Sequence, residues 1–210
     1  ADHPLVRHPP LLLCWVARVL SSGAFHMHAV AIGWQLYTLT ESAFDLGLIG
    51  LAQFLPMLAL TLVVGPVADR YDRRVIAAIC QIATALAASL LALGSFAGWL
   101  DREAMLAIVV LLGAARAFEN PTMAAMVPNL APERLIMPAT AWSASANQTA
   151  QIGGPALGGL LYLLGPTAAY LVCAAAFLLA AGAVLAIPRM GSRRPRQPVG
   201  SGAAHDVRLD

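Results

Sequence analysis

The chain has 210 residues, 59% of them hydrophobic and only 11% charged, with a formal net charge of +2. A soluble domain devotes roughly a quarter of its residues to charge, so this composition excludes an ordinary soluble globule and points to a chain that crosses a membrane. The small surplus of positive charge sits in connectors rather than along a groove, which excludes nucleic acid as a partner and leaves the lipid bilayer as the expected surrounding.

A bilayer-crossing helix needs about 20 mainly apolar residues. Six segments satisfy this: 11–38, 45–65, 75–98, 104–121, 137–163 and 166–187. They predict an all-α integral membrane protein, a six-transmembrane-helix bundle over 11–187. A short tail, 1–10, precedes it. The Arg-, Pro-, Gly- and Ser-rich stretch 188–210 follows with linker composition and is expected to be disordered. The first apolar run is too long for the core of a signal peptide. Thr40–Glu41–Ser42 closes the first hairpin and Trp99–Leu100–Asp101–Arg102–Glu103 the third. Pro121, Pro128 and Pro132 interrupt the long fourth connector, and Gly165–Pro166 makes the tight fifth.

The first span is unusually polar, carrying Arg18, Ser21, Ser22, His26, His28 and Gln35. At about 100° per residue, Arg18, Ser22 and His26 fall near roughly 0°, 40° and 80° around the axis, and Ser21, His28 and Gln35 near 300°, 280° and 260°. Together they cover half the circumference, a face suited to a water-filled cavity rather than lipid. His26 and His28 point too far apart to chelate one metal ion. The arginine side favours His26 as the one facing the cavity, either as a packing residue or as a proton carrier.

Between spans two and three lies Gly65-Pro66-Val67-Ala68-Asp69-Arg70-Tyr71-Asp72-Arg73-Arg74, where the chain concentrates its charge. Its arginines join Arg7, Arg134, Arg189 and the other tail arginines on one side of the membrane, against Arg102 alone on the other. By the positive-inside rule both termini are cytoplasmic. That rule accounts for Arg70, Arg73 and Arg74 but not for Gly65 or Asp69. Gly65 suits close approach of a neighbouring helix, and Asp69 suits the positive end of a helix dipole.

Span four carries Arg116 within an apolar run, where a charge is costly and faces the bundle interior. Glu119, one turn on, is its expected partner, as a static staple or as part of proton coupling. Span five carries Gly154, Pro155, Gly158 and Gly159, a smooth face for helix packing with a proline that can kink it. Asn147 and Gln151, four residues apart, share a face and either line a cavity or bond across helices. Cys14, Cys80 and Cys173 all lie in apolar runs without CxxC spacing and read as small apolar packers. No metal site, cofactor site or catalytic constellation is expected.

Gly65-x-x-x-Asp69-Arg70-x-x-Arg73-Arg74, between spans two and three, resembles the signature loop of the major facilitator superfamily. Gly154-Pro155-Ala156-Leu157-Gly158-Gly159 resembles the glycine–proline motif of its exporters and antiporters. Arg116, followed by Phe118-Glu119-Asn120-Pro121, sits where those exporters carry a buried arginine. Gly33-Trp34-Gln35-Leu36-Tyr37 and Gly50-Leu51-Ala52-Gln53-Phe54-Leu55-Pro56 look like the bacterial branch that includes the enterobactin exporter and drug exporters.

The resemblance implies the amino-terminal half of a twelve-helix fold in a bacterial cytoplasmic (inner) membrane. It implies efflux of a siderophore- or drug-like small molecule by alternating access, coupled to protons, with a second six-helix half as partner. Asp69 and an arginine of the loop would latch onto that half, Gly154–Gly159 would seal the pathway, and Arg116 with Glu119 would serve coupling. Arg18, Ser22, His26, Asn147 and Gln151 are the expected cavity residues. Two alternatives stand beside this: a non-transporting membrane half or scaffold, and a phospholipid-head-group transferase. Gly65-x-x-x-Asp69-x-x-Asp72 resembles part of the transferase motif but lacks its upstream acids.

Overall fold

Six long helices follow one another in the computed structural model, which describes residues 9–188 apart from the side chains of Leu62, Ala68, Asp69 and Glu133. They are α1 (Pro9–Thr40), α2 (Ala43–Arg70), α3 (Arg73–Ala97), α4 (Arg102–Leu130), α5 (Ile136–Tyr162) and α6 (Pro166–Ala186), with one 3-10 turn, Glu133–Leu135, ahead of α5. The remainders of the two tails expected at 1–10 and 188–210 lie outside the described residues.

The helix ends have local causes. Ser42 caps α2 by accepting from the Asp45 amide at 3.4 Å, Asp72 caps α3 through the Arg74 amide at 3.0 Å, and Asp101 caps α4 through the Ala104 amide at 2.8 Å. Gly98 ends α3 at φ 74° and Gly165 turns the chain into α6 at φ 103°, backbone conformations that glycine adopts without strain. Pro166 then opens α6, where its missing N–H costs nothing.

Two sequence expectations are corrected here. Span four does not stop at Pro121: α4 passes through Pro121 and Pro128 to Leu130. Span two does not stop at Gly65: α2 passes through Pro66 to Arg70, so Gly65, Asp69 and Arg70 are helical and only Tyr71–Asp72 separates α2 from α3. The reason is the same in both. A break near the bilayer would strip several backbone groups of partners, whereas a proline removes one hydrogen bond, so the helix continues through it. One residue past the Ala124 carbonyl that Pro128 leaves without its helical donor, the Ala125 carbonyl accepts from Asn129 Nδ2 at 3.0 Å and Arg73 Nη1 at 3.3 Å.

The packing has an internal symmetry. α1 packs chiefly against α5 and α6, α4 chiefly against α2 and α3, and α3 against α6. Exchanging the first three helices for the last three turns the α1–α5 contact into α4–α2 and α1–α6 into α4–α3, and leaves α3–α6 in place. With three crossings reversing the direction of the chain, this pairing is the pattern that inverted repeats give. Alanine dominates the joints: Ala17, Ala24 and Ala31 of α1, Ala77, Ala85 and Ala88 of α3, and Ala174, Ala180 and Ala181 of α6 are all buried. Lipid offers helices no hydrophobic drive to associate, so such small side chains let backbones close to contact distance. Cys14, Cys80 and Cys173 are buried and free among them.

Five of the six helices are long and apolar enough to cross a membrane; α5 is the exception. Thr140, Ser143, Ser145, Asn147, Gln148, Thr149 and Gln151 lower its hydropathy, and α5 lies against the cavity described next. The large outward-facing side chains, including Phe44, Phe96, Ile152 and Leu164, form an apolar surface suited to lipid.

Candidate functional site

A cavity of about 320 Å³ opens between α1, α2, α4 and α5. Phe25 and His26 come from α1, Gly50, Gln53, Phe54 and Met57 from α2, Gly113, Arg116 and Asn120 from α4, and Asn147 and Gln151 from α5. A narrow cleft adjoins it, lined by Arg18, Ser21, Ser22, Arg116, Glu119, Asn120, Met123 and Asn147. Asn147 and Gln151 therefore face the open space from α5, and among the described residues neither side chain hydrogen-bonds across helices.

Glu119 is the electrostatic centre of this region. It is 2% exposed and touches three helices at once. Ser21 Oγ on α1 and Gln81 Nε2 on α3 both donate to its Oε1, the latter at 3.1 Å, and Arg116 Nη1 on α4 meets Oε2 at 3.2 Å. Arg116 also lies over the Phe25 ring, with its guanidinium carbon 4.3 Å from the ring centroid. The carboxylate thus binds α1, α3 and α4 into one unit and sets the arginine against the cavity wall.

The polar arc of α1 divides. Arg18, Ser22 and His26 line the cleft or the cavity. Ser21 lines the cleft too but is engaged by Glu119, whereas His28 and Gln35, part of the expected aqueous face, instead meet neighbouring helices. Gln35 Oε1 accepts from Tyr170 Oη at 2.7 Å and its Nε2 donates to Ser95 Oγ at 3.1 Å. His28 is 1% exposed between Tyr170 and Phe177, at 5.4 and 6.5 Å between ring centroids, with neither ring nitrogen hydrogen-bonded. The cause is that α1 sits centrally, facing the cavity on one side and α6, with Ser95 of α3, on the other.

Of the span-five glycines, Gly154 and Gly158 make the contact with α1. A Cβ on Gly154 would lie 2.7 Å from His26 Cβ, and one on Gly158 would lie 2.7 Å from the Met27 carbonyl oxygen. Gly159 does not belong to that face. It is exposed and a Cβ there would meet nothing, because the next residue along a helix points about 100° away. Pro155 is half-buried inside the helix. Gly65 likewise has open space around its Cβ position, so no described helix approaches it. The sequence reading missed Gly113 on α4, whose Cβ would clash with the Gln53 carbonyl oxygen of α2. It serves the α4–α2 joint, which the internal symmetry relates to the α1–α5 joint, but the glycine there sits on the opposite member of the pair.

At the arginine-rich end, Arg74 Nη2 donates to the Leu185 carbonyl at 2.6 Å, beside the end of α6, and Arg73 reaches the Ala125 carbonyl of α4. Leu185 is in the last turn of α6, where the dipole favours a cation, whereas Ala125 lies before the last turn of α4. Arg70 is exposed, and the Asp69 side chain lies outside the described residues. At the opposite end Arg102 Nη2 lies 2.7 Å from Asp45 Oδ1 and joins α4 to α2.

A four-helix-lined cavity behind a buried charge cluster, in a six-helix membrane bundle, is the arrangement of a transporter-like protein. Residues 4–200 match the transmembrane secretion effector family, and the chain belongs to that family of the major facilitator superfamily. Membership is in a family of transporters rather than enzymes, which removes the head-group transferase alternative. The chain is similar to macrolide efflux protein A of Streptococcus pyogenes, at 27% identity over 85% of this chain and 45% of that protein. It is similar also to an uncharacterized transporter of the superfamily, YfiS, from Bacillus subtilis, at 28% identity over 90% of this chain and 45% of that protein. The chain thus spans less than half the length of these relatives. No solved structure matches it.

Proposed function

We propose that this chain forms half of a secondary exporter that moves a drug- or siderophore-like small molecule out of a bacterial cell by alternating access. The substrate sits near the bilayer midplane between this half and a second six-helix half. The observation that carries the reading is the polar cavity of about 320 Å³ between α1, α2, α4 and α5. Small-molecule sites run from about 300 to 1,000 Å³, and a facing half would enlarge and close this one. The arginine distribution supports a place in the inner membrane with both termini cytoplasmic. Glu119, the carboxylate buried beside the cavity, is the acid best placed to couple export to proton entry. Gly154 and Gly158 would keep α5 sealed on α1 while the halves rock.

The name of the streptococcal relative makes a macrolide the first cargo to test. The complete reading frame is expressed in a bacterium deleted for its own exporters, and retention of a labelled macrolide, a catecholate siderophore and fluorescein is followed over time. Expression lowers retention of at least one of them, and a protonophore restores it. Unchanged retention of all three overturns the reading.

A further inference from the structure

Charge does not balance around the cavity. Arg18 and Arg116 both line the cleft, and Glu119 is the one carboxylate among the described residues that lines either space, so two cations face one anion. Nor is Glu119 open to a ligand: Ser21 and Gln81 occupy Oε1, Arg116 occupies Oε2, and the residue is 2% exposed. The pair Arg116–Glu119 is therefore closed on itself, and the surplus belongs to Arg18. That side chain is half-buried and has no hydrogen bond or ion pair to any described residue. Beside it, Ser22 is 2% exposed with an unpartnered Oγ, in the same cleft.

An unpaired guanidinium and an unpaired buried hydroxyl, converging on one cleft within a membrane bundle, form half of an anion site. The cavity next to it offers aromatic faces from Phe25 and Phe54 and amides from Gln53, Asn120, Asn147 and Gln151. The cleft itself has about 10 Å³, room for a single water, so a ligand's acid group meets it from the cavity side. We infer that this half binds an anionic aromatic ligand, with its rings against Phe25 and Phe54 and its carboxylate or sulfonate beside Arg116, held to Arg18 and Ser22 across that water. A cation in the same place would add to the surplus instead of cancelling it. The inference rests on the exporter reading and names the substrate class for it.

The test uses two fluorescent dyes of similar ring size and opposite charge, fluorescein (anionic) and rhodamine 123 (cationic). Each is titrated against the complete protein in phosphatidylcholine nanodiscs and followed by anisotropy. Fluorescein binds, and rhodamine 123 binds at least about tenfold more weakly. Arg18→Gln weakens fluorescein about tenfold, as loss of a charge-assisted contact does, whereas Arg18→Lys keeps most of it. A melting curve on each variant separates lost binding from lost folding. Rhodamine 123 binding as tightly as fluorescein, no binding of either dye, or unchanged fluorescein affinity in folded Arg18→Gln overturns the inference. Selective fluorescein binding without export in cells sinks the exporter reading alone. Export of a cation by a protein that binds no fluorescein sinks this one alone.

Discussion

A Cβ placed on Gly158 of α5 would lie 2.7 Å from the carbonyl oxygen of Met27 on α1, so these two helices meet backbone to backbone. One turn earlier Gly154 faces His26 Cβ at the same distance, which fixes a cavity-lining side chain by the same contact. Neither obstruction is a flexible side-chain end that can swing away. Gly158→Ala is expected to cost about 1–3 kcal/mol, the usual penalty for overpacking, and to lower the melting temperature in detergent. Gly159→Ala, which meets open space, should stay within about 0.5 kcal/mol of the parent. Equal losses from the two would show that the contact is not tight.

Glu119 is held by groups on three helices, and that predicts an asymmetry between single and double variants. Glu119→Gln leaves Arg116 without its carboxylate and should destabilise the bundle by about 3–5 kcal/mol, the cost of stranding a buried charge. Arg116→Gln combined with Glu119→Gln removes both charges and should recover much of that loss. The double variant also separates the two roles left open for the pair. If the pair is only a staple, the refolded protein exports normally. If Glu119 carries protons, the refolded protein loses the dependence of export on the proton gradient. Recovered folding together with unaltered gradient dependence assigns the pair to structure alone.

His26 and His28, two residues apart, predict opposite outcomes. His28 is buried between Tyr170 and Phe177 with both ring nitrogens unpartnered. A phenyl ring fills the same space without stranding polar atoms, so His28→Phe should leave stability within about 1 kcal/mol of the parent or raise it. His26 faces the cavity, and His26→Gln should leave melting unchanged while flattening the pH dependence of export. A large loss of stability in His28→Phe would reveal a hydrogen-bonding partner for that ring.

The helices were legible in the sequence because most are apolar runs closed by a cap or by glycine, as at Ser42, Asp101 and Gly165, and α5, more polar, is bounded by Pro132 and Gly165. Their true lengths were not, because Pro66, Pro121 and Pro128 look like terminators. In lipid, carrying a helix through a proline is cheaper than baring its backbone. Arg116 and Glu119 stood out as a pair one turn apart. Ser21 and Gln81 did not, since only the packing of α1 and α3 around α4 brings them to the same carboxylate. Gly113 was invisible for a related reason. A lone glycine in an apolar run has no spacing partner, and its role appears only when α2 is laid against it. Periodicity placed six polar residues on half of α1, but which part faces water is set by neighbouring helices.

The arginines between α2 and α3 divide by what they touch. Arg74 donates to the Leu185 carbonyl at 2.6 Å, so it ties α3 to α6 within this bundle. Arg74→Gln should therefore loosen that end and cost about 1 kcal/mol of stability, in line with a single partly exposed hydrogen bond. Arg70 is exposed, and Arg70→Gln should leave the melting temperature unchanged. Asp69 lies one residue earlier on the last turn of α2, and Asp69→Asn alters no count of positive charge across the membrane. If Asp69 latches this half to its partner, the Asn variant inserts and melts like the parent but fails to export. Wild-type export by Asp69→Asn would leave the charges of this connector with a topological role only. Export lost in Arg70→Gln as well, at unchanged stability, would extend the latch to the arginine that no described group engages.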